Sequence, residues 1–235
     1  MNVEIDEIEH AIPWDLGPAP ESEGHTVAEL LPPGHECYLR LFHPFVPWEL
    51  ECSVEPVEPR TTWGALAALA GLELTPTTTW KLLEPALPDD GERRPWTVWD
   101  GDIEVSTAKD LFGILGVNST GPYFFEFGLA AVISADDHRP HLYRSPSIEG
   151  RHAAAQRIRH RGAGWVNTPS LAWDQAQTWI TCSDHDLTST YIASTERVGQ
   201  QLLDHPDLET VEVQRTTRID DWAHEQEGGP PGQTT

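Results

Sequence analysis

The densest set of groups able to do chemistry is Asp184-His185-Asp186. In a strand alternate side chains share a face, so Asp184 and Asp186 would together hold one divalent cation or work as an acid–base pair. Aspartate is a hard oxygen ligand suited to Mg²⁺ or Ca²⁺. The same residues run on into Leu-Thr-Ser-Thr, which also reads as a turn whose acids bond backbone donors. Ser183 precedes them, but neighbours in a strand point to opposite faces and do not make a triad by themselves. His138 and His141, flanked by Asp136 and Asp137, have short metal-like spacing. A zinc site needs about four ligands, though, and no Cys pair supports one, so a hairpin turn with solvated His is expected. The chain has no Gly-x-Ser-x-Gly elbow, no Gly-x-Gly-x-x-Gly and no Walker loop. No cofactor is implied, and the balance leans away from catalysis.

Charge is distributed more tellingly than reactive groups. The 235 residues carry 15 Lys+Arg against 38 Asp+Glu, a formal net charge of −23. Residues 1–59 contain thirteen acids and one base, Arg40. Between His138 and Arg161 the balance reverses, with six arginines facing Glu149 alone. A surface this negative repels phosphate backbones and anionic lipid heads, which argues against nucleic-acid and membrane partners. It attracts a basic protein and speeds the encounter. Trp48, Glu49, Glu51, Glu55 and Glu58 form an acidic stretch with an aromatic anchor, the candidate partner-binding surface. In the alternative reading the chain is a hydrolase or transferase centred on Asp184 and Asp186. There Arg144, Arg151, Arg157 and Arg159 would hold an anionic substrate group, because guanidinium matches phosphate and carboxylate bidentately. In a third reading the basic island pairs with the acidic segment, within the fold or across a homo-oligomer.

The elements that must position these groups follow from periodicity and punctuation. Residues 1–25 read as an acidic, Pro-rich arm, 26–227 as one α+β domain with room for a sub-boundary near 84–95, and 228–235 as a disordered tail. Thr26-Val-Ala-Glu29 and Thr107-Ala-Lys-Asp110 match capping boxes. Alternation predicts a strand from His35 to Phe45 with Cys37, Leu39 and Leu41 on one face and Tyr38 and Phe42 near the other. Thr61 or Thr62 caps a helix running to Leu69 that Gly71 ends. Further strands are expected at 96–99, 123–133, 141–144, 178–182, 191–193 and 208–213. Helices are expected at 150–161, which would be basic, and 195–203. Neighbouring strands with irregularly interspersed helices favour α+β, a mostly antiparallel sheet with several short helices packed on it. Ten tryptophans point to a folded core. No window approaches the ~18 apolar residues of a membrane span. The Met-Asn-Val-Glu-Ile start has no signal-peptide character, and Cys37, Cys52 and Cys182 fit buried thiols of a reducing, cytoplasmic setting.

Leu31-Pro-Pro-Gly34, Cys37-Tyr-Leu-Arg-Leu-Phe-His-Pro44, Pro169-Ser-Leu-Ala-Trp173-Asp174 with Trp179, and Asp184-His-Asp-Leu-Thr-Ser-Thr-Tyr191 resemble a family of uncharacterised proteins from GC-rich bacteria. The Leu-Pro-Pro turn ahead of Tyr38–Phe42 is also similar to SMI1/KNR4-type (SUKH) immunity proteins. That second likeness implies an α+β fold that binds a toxin. The expectation from the sequence is therefore an acidic α+β protein that binds a basic protein, as an immunity or regulatory factor.

Overall fold

Alternating strands build most of the molecule. The computed structural model describes residues 3–9, 12–17, 24–47, 53, 55–58, 60–86, 96–128, 140–162 and 166–225. Its strands are β1 (Asp6–Ile8), β2 (Cys37–Phe42), β3 (Phe45–Pro47), β4 (Trp96–Val98), β5 (Tyr123–Phe127), β6 (His141–Ser145), β7 (Leu171–Asp174), β8 (Trp179–Cys182), β9 (Ser189–Ser194) and β10 (Thr210–Glu212). The helices are α1 (Trp63–Leu69), α2 (Trp80–Leu83), α3 (Val105–Val117), α4 (Gly150–His160) and α5 (Glu196–Leu203). Eight strands form one antiparallel sheet in the order β1-β6-β5-β7-β8-β9-β2-β10, and β3 pairs with β4 in a second sheet. This is the α+β architecture the sequence predicts, and none of the helices is long and apolar enough to cross a membrane.

Period-two side-chain placement splits the large sheet into two apolar faces. Leu39, Leu41, Phe125, Tyr143, Trp179 and Ile192 pack on one face beneath α3, α4 and α5. Leu142, Trp173, Ile180, Tyr191 and Ala193 point to the other face, which Val27, Leu31 and Val213 cover from irregular segments. On that second face Trp14 meets Trp173 edge-on at 5.0 Å, and Phe124 stacks on the same indole at 5.2 Å. The three longest described helices, α3, α4 and α5, therefore share the first face. A third cluster joins β3 and β4 to α1 through Phe42, Phe45, Trp63 and Val98.

Local chemistry explains the helix boundaries. Thr62 caps α1 by accepting the Ala65 N–H at 3.1 Å, and Gly71 follows the helix at φ +68°. A second cap comes from far along the chain, where Glu209 accepts the N–H groups of Trp63 and Gly64 at 2.6 and 2.7 Å. The Thr26–Glu29 box holds a single 3₁₀ turn, Val27–Glu29, with Glu29 accepting the Thr26 N–H at 2.9 Å. The expected box at Thr107 needs correction. Helix α3 starts at Val105, its cap is Glu104, and Thr107 lies inside the first turn. The buried Glu104 carboxylate also accepts from Val57 N–H and Arg60, so it outcompetes a local box. Strand β5 occupies an interior position and ends at Phe127. The expected continuation to Ile133 lies outside the described residues, as do the 228–235 tail, residues 87–95 of the suggested sub-boundary, and Cys52. Cys37 and Cys182 carry free thiols, and burial pushes Cys182 up to about 12.

Candidate functional site

Arg40 is the anomaly from which the site is built. It sits in β2 on the second sheet face, opposite Tyr191 of β9 in register. It is 4% exposed. A buried guanidinium needs compensation, and here all of it is neutral. Nε donates to Ser189 Oγ at 2.9 Å, and Nη1 donates to the carbonyls of Pro76 and Thr78 at 2.9 and 2.8 Å. The Phe42 ring lies 4.2 Å from the guanidinium carbon. Burial draws the Arg40 pKa below the usual arginine value.

Arg40, Ser189 and Tyr191 line a cleft of about 890 Å³. Its remaining walls come from five places: the 25–30 segment, Trp80 of α2, Asp100, the β8–β9 turn and residues 219–222. The turn can approach Asp100 because Gly101 adopts φ +68° and donates its N–H to the Leu187 carbonyl at 2.9 Å. A side chain on Gly101 would collide with the His185 backbone, so glycine is required there. Six carboxylates line the cleft (Glu29, Asp100, Asp184, Asp186, Asp220 and Asp221), and Arg40 is the one Lys or Arg among the lining residues. Several of these acids bond cations at the rim. His25 Nδ1 lies 2.8 Å from Glu29, which raises the His25 pKa. Arg218 donates to Asp220 at 2.7 Å. Burial opposes ionisation of Asp220, but this bond and backbone donors hold its pKa below the usual carboxylate value. Lys81 Nζ sits 3.0 Å from Asp221 and 4.0 Å over the half-exposed Trp222 ring.

Asp184, His185 and Asp186 lie in the β8–β9 turn. Asp184 Oδ1 accepts the Asp186 N–H at 3.2 Å, and the Asp184 carbonyl accepts the Leu187 N–H at 3.0 Å. That is the turn alternative raised by the sequence. The candidate ligand atoms of the three side chains lie within 4.8 Å of one another. Both ring nitrogens of His185 are engaged, at 3.2 Å from Asp184 and 3.3 Å from Asp186.

The arginine island goes elsewhere. Arg144 is exposed on β6 opposite Asp6 of β1. Arg151 is buried over the Phe112 ring at 4.7 Å, and burial lowers it to about 10. Arg157 is exposed and Arg159 half-buried, both in the last turn of α4, where cations complement the carbonyl end of the helix. None of the four lines the cleft that holds Asp184 and Asp186. The convergence on which the hydrolase or transferase reading depends is therefore missing among the described residues. Part of the island is neutralised by the N-terminal strand instead, since Arg161 forms a bidentate pair with Glu7 at 2.9 and 2.7 Å.

Of the expected partner-binding residues, Trp48, Glu49 and Glu51 lie outside the described residues. Glu55 and Glu58 are exposed, Glu58 pairs with Arg60 at 3.2 Å, and neither lines the cleft. Sequence reasoning passed over Arg40, Trp80, Tyr191, Asp220, Asp221 and Trp222. Two signals pointed to them: Arg40 is a charge on the buried face of an apolar strand, and Trp222 directly follows two aspartates. No protein-family model, curated protein or solved structure matches this chain, so the cleft's own chemistry is the guide to what it binds.

Proposed function

We propose that this protein binds a basic segment of another protein at the acidic cleft, acting as an immunity or regulatory factor. The observation that carries the reading is Lys81, which already sits between Asp221 and the face of Trp222. The chain's own ammonium thus marks the acid–aromatic pair as a cation seat. Such a ring contact contributes about 0.5–2 kcal/mol, depending on how far the cation is desolvated. An exposed ion pair adds at most about 1 kcal/mol. Several seats are therefore needed for useful affinity, and the cleft supplies more acids along its walls. Net charge of −23 steers a basic partner toward the molecule over a longer range.

The test is calorimetric titration with a Lys/Arg-rich peptide, amidated at its C-terminus, at low and moderate salt. Binding is expected at low salt and should weaken as salt rises. Trp222→Ala should cost about 5- to 30-fold, the size of one hot-spot ring contact. Absence of heat with the basic peptide at low salt, for a folded protein, would overturn the proposal.

A further inference from the structure

We propose that the cleft is a zwitterion site. Arg40 at its floor takes a ligand carboxylate, while the cationic group of the same ligand lies among the acids and Trp222 at the mouth. The ligand class is a free basic amino acid or the C-terminal residue of a basic chain. This rests on the reading of the cleft as a cation seat and adds the anion half to it.

Arg40 leaves part of its guanidinium unused. With Nε on Ser189 and Nη1 on two carbonyls, Nη2 has no partner among the described residues. No carboxylate among them pairs with this guanidinium, although six line the same cleft. A buried arginine held only by neutral acceptors is costly, and an apolar side chain would satisfy packing in β2 at less expense. Tyr191 stands beside it across the strand register and lines the same floor. The Tyr191 hydroxyl also has no hydrogen-bond partner among the described residues, and burial keeps it protonated as a donor. Both donors, without an acceptor among the described residues, line one cleft of about 890 Å³, a size within the usual range of small-molecule sites. A carboxylate fits a guanidinium edge with an adjacent hydroxyl.

The surrounding charge selects further. Six carboxylates repel a plain anion, so a carboxylate reaches Arg40 only when it brings its own positive group. A plain cation satisfies the mouth and leaves the floor unpaired. Only a ligand carrying both charges answers both ends.

The experiment needs no variant of the floor. Tryptophan fluorescence and calorimetry on the full chain compare L-arginine with agmatine, its decarboxylated counterpart. The same is done for a basic peptide ending in Arg as the free acid and as the amide. A third peptide, equally long and neutral, ends in norleucine with a free carboxylate. L-arginine or the free-acid peptide is expected to bind at least tenfold tighter than its partner without the carboxylate. Which of the two binds better separates free amino acid from chain end. If agmatine matches arginine and amide matches acid, the Arg40 assignment is overturned while the cation seat stands. If the norleucine peptide binds as tightly as the Arg peptide, the cation seat fails and the zwitterion proposal falls with it. No binding in any arm overturns both.

Discussion

Arg40 and His43 lie three residues apart and are both buried, yet the surroundings settle them in opposite charge states. His43 is pulled down to about 4, first by burial and further by the nearby Arg40 charge. Its hydrogen bonds have a fixed direction. Nδ1 donates to the Trp99 carbonyl at 2.9 Å, so Nε2 accepts from the Thr190 hydroxyl at 2.9 Å, and Thr190 Oγ1 in turn accepts from Ser183 at 2.6 Å. Protonating the ring would turn this chain around. For a group whose folded pKa lies below its unfolded value, the unfolded state binds the proton more readily. The stability His43 contributes is thus complete above about pH 6.5 and lost as pH falls toward 4, costing about 1.4 kcal/mol per unit. Urea unfolding at pH 7 and 4.5 should show about 2 kcal/mol more loss in the wild type than in His43→Gln. Equal losses would mean that His43 does not govern the acid limb. Comparing the two proteins matters, because Asp102 works in the opposite sense. Burial raises its pKa to about 6 against the donors Thr168, Asn167 and Ile103, so its contribution declines as pH rises toward that value.

At the scale of elements, the sequence revealed whatever was encoded locally. Strand β2 alternates, and Cys37, Leu39 and Leu41 share the face assigned to them. Thr62 and Gly71 bracket α1 as their chemistry requires. Strand β7 carried no such signal, since all four of its residues are buried and period two vanishes when both faces are covered. The Glu209 cap was equally hidden, because it serves a helix 145 positions away, and Glu104 caps its own helix while also accepting from Val57 and Arg60, bonds that no local pattern announces. The cleft is the extreme case. Its lining comes from positions 25, 40, 80, 100, 184 and 220, and no spacing rule joins residues brought together only by tertiary packing. The edge strand β1 gives a test at this scale. Arg161 holds Glu7 down to about 2, with a further bond from His141 and against desolvation. This ion pair stabilises the fold fully above about pH 4.5 and less as pH falls toward 2. Because both partners are over a third exposed, its worth is about 1 kcal/mol after solvent screening. Glu7→Gln should lower Tm at pH 7 and leave it unchanged near pH 2. A Tm loss of the same size at both pH values would show that the carboxylate acts through shape instead of charge.

For the whole molecule the sheet acts as a divider of charge. Basic α4 packs on the face that carries α3 and α5, through Ala154, Ala155 and Ile158, whereas the acidic cleft opens on the opposite face beside Leu30, Tyr191 and Ile219. Ion pairs such as Arg161–Glu7, Arg218–Asp220 and Lys81–Asp221 cancel charge locally. Fifteen Lys+Arg cannot balance thirty-eight Asp+Glu, however, and the excess repels itself. Two electrostatic terms therefore compete when salt is added. Screening weakens the ion pairs, each worth about 1 kcal/mol or less. It also relieves the summed repulsion of −23, which acts over distances that a Debye length of about 10 Å at 0.1 M cuts off. Repulsion acts among many acids at once and attraction at a few contacts, so repulsion should dominate. Tm is expected to rise by several degrees between about 20 and 500 mM NaCl, while the amidated basic peptide should bind at least tenfold more weakly over the same range. Scanning calorimetry and titration on one salt series read both. If Tm fell with salt, ion pairing would outweigh repulsion. The acidic excess would then be structural, and no longer available to steer a basic partner toward the cleft.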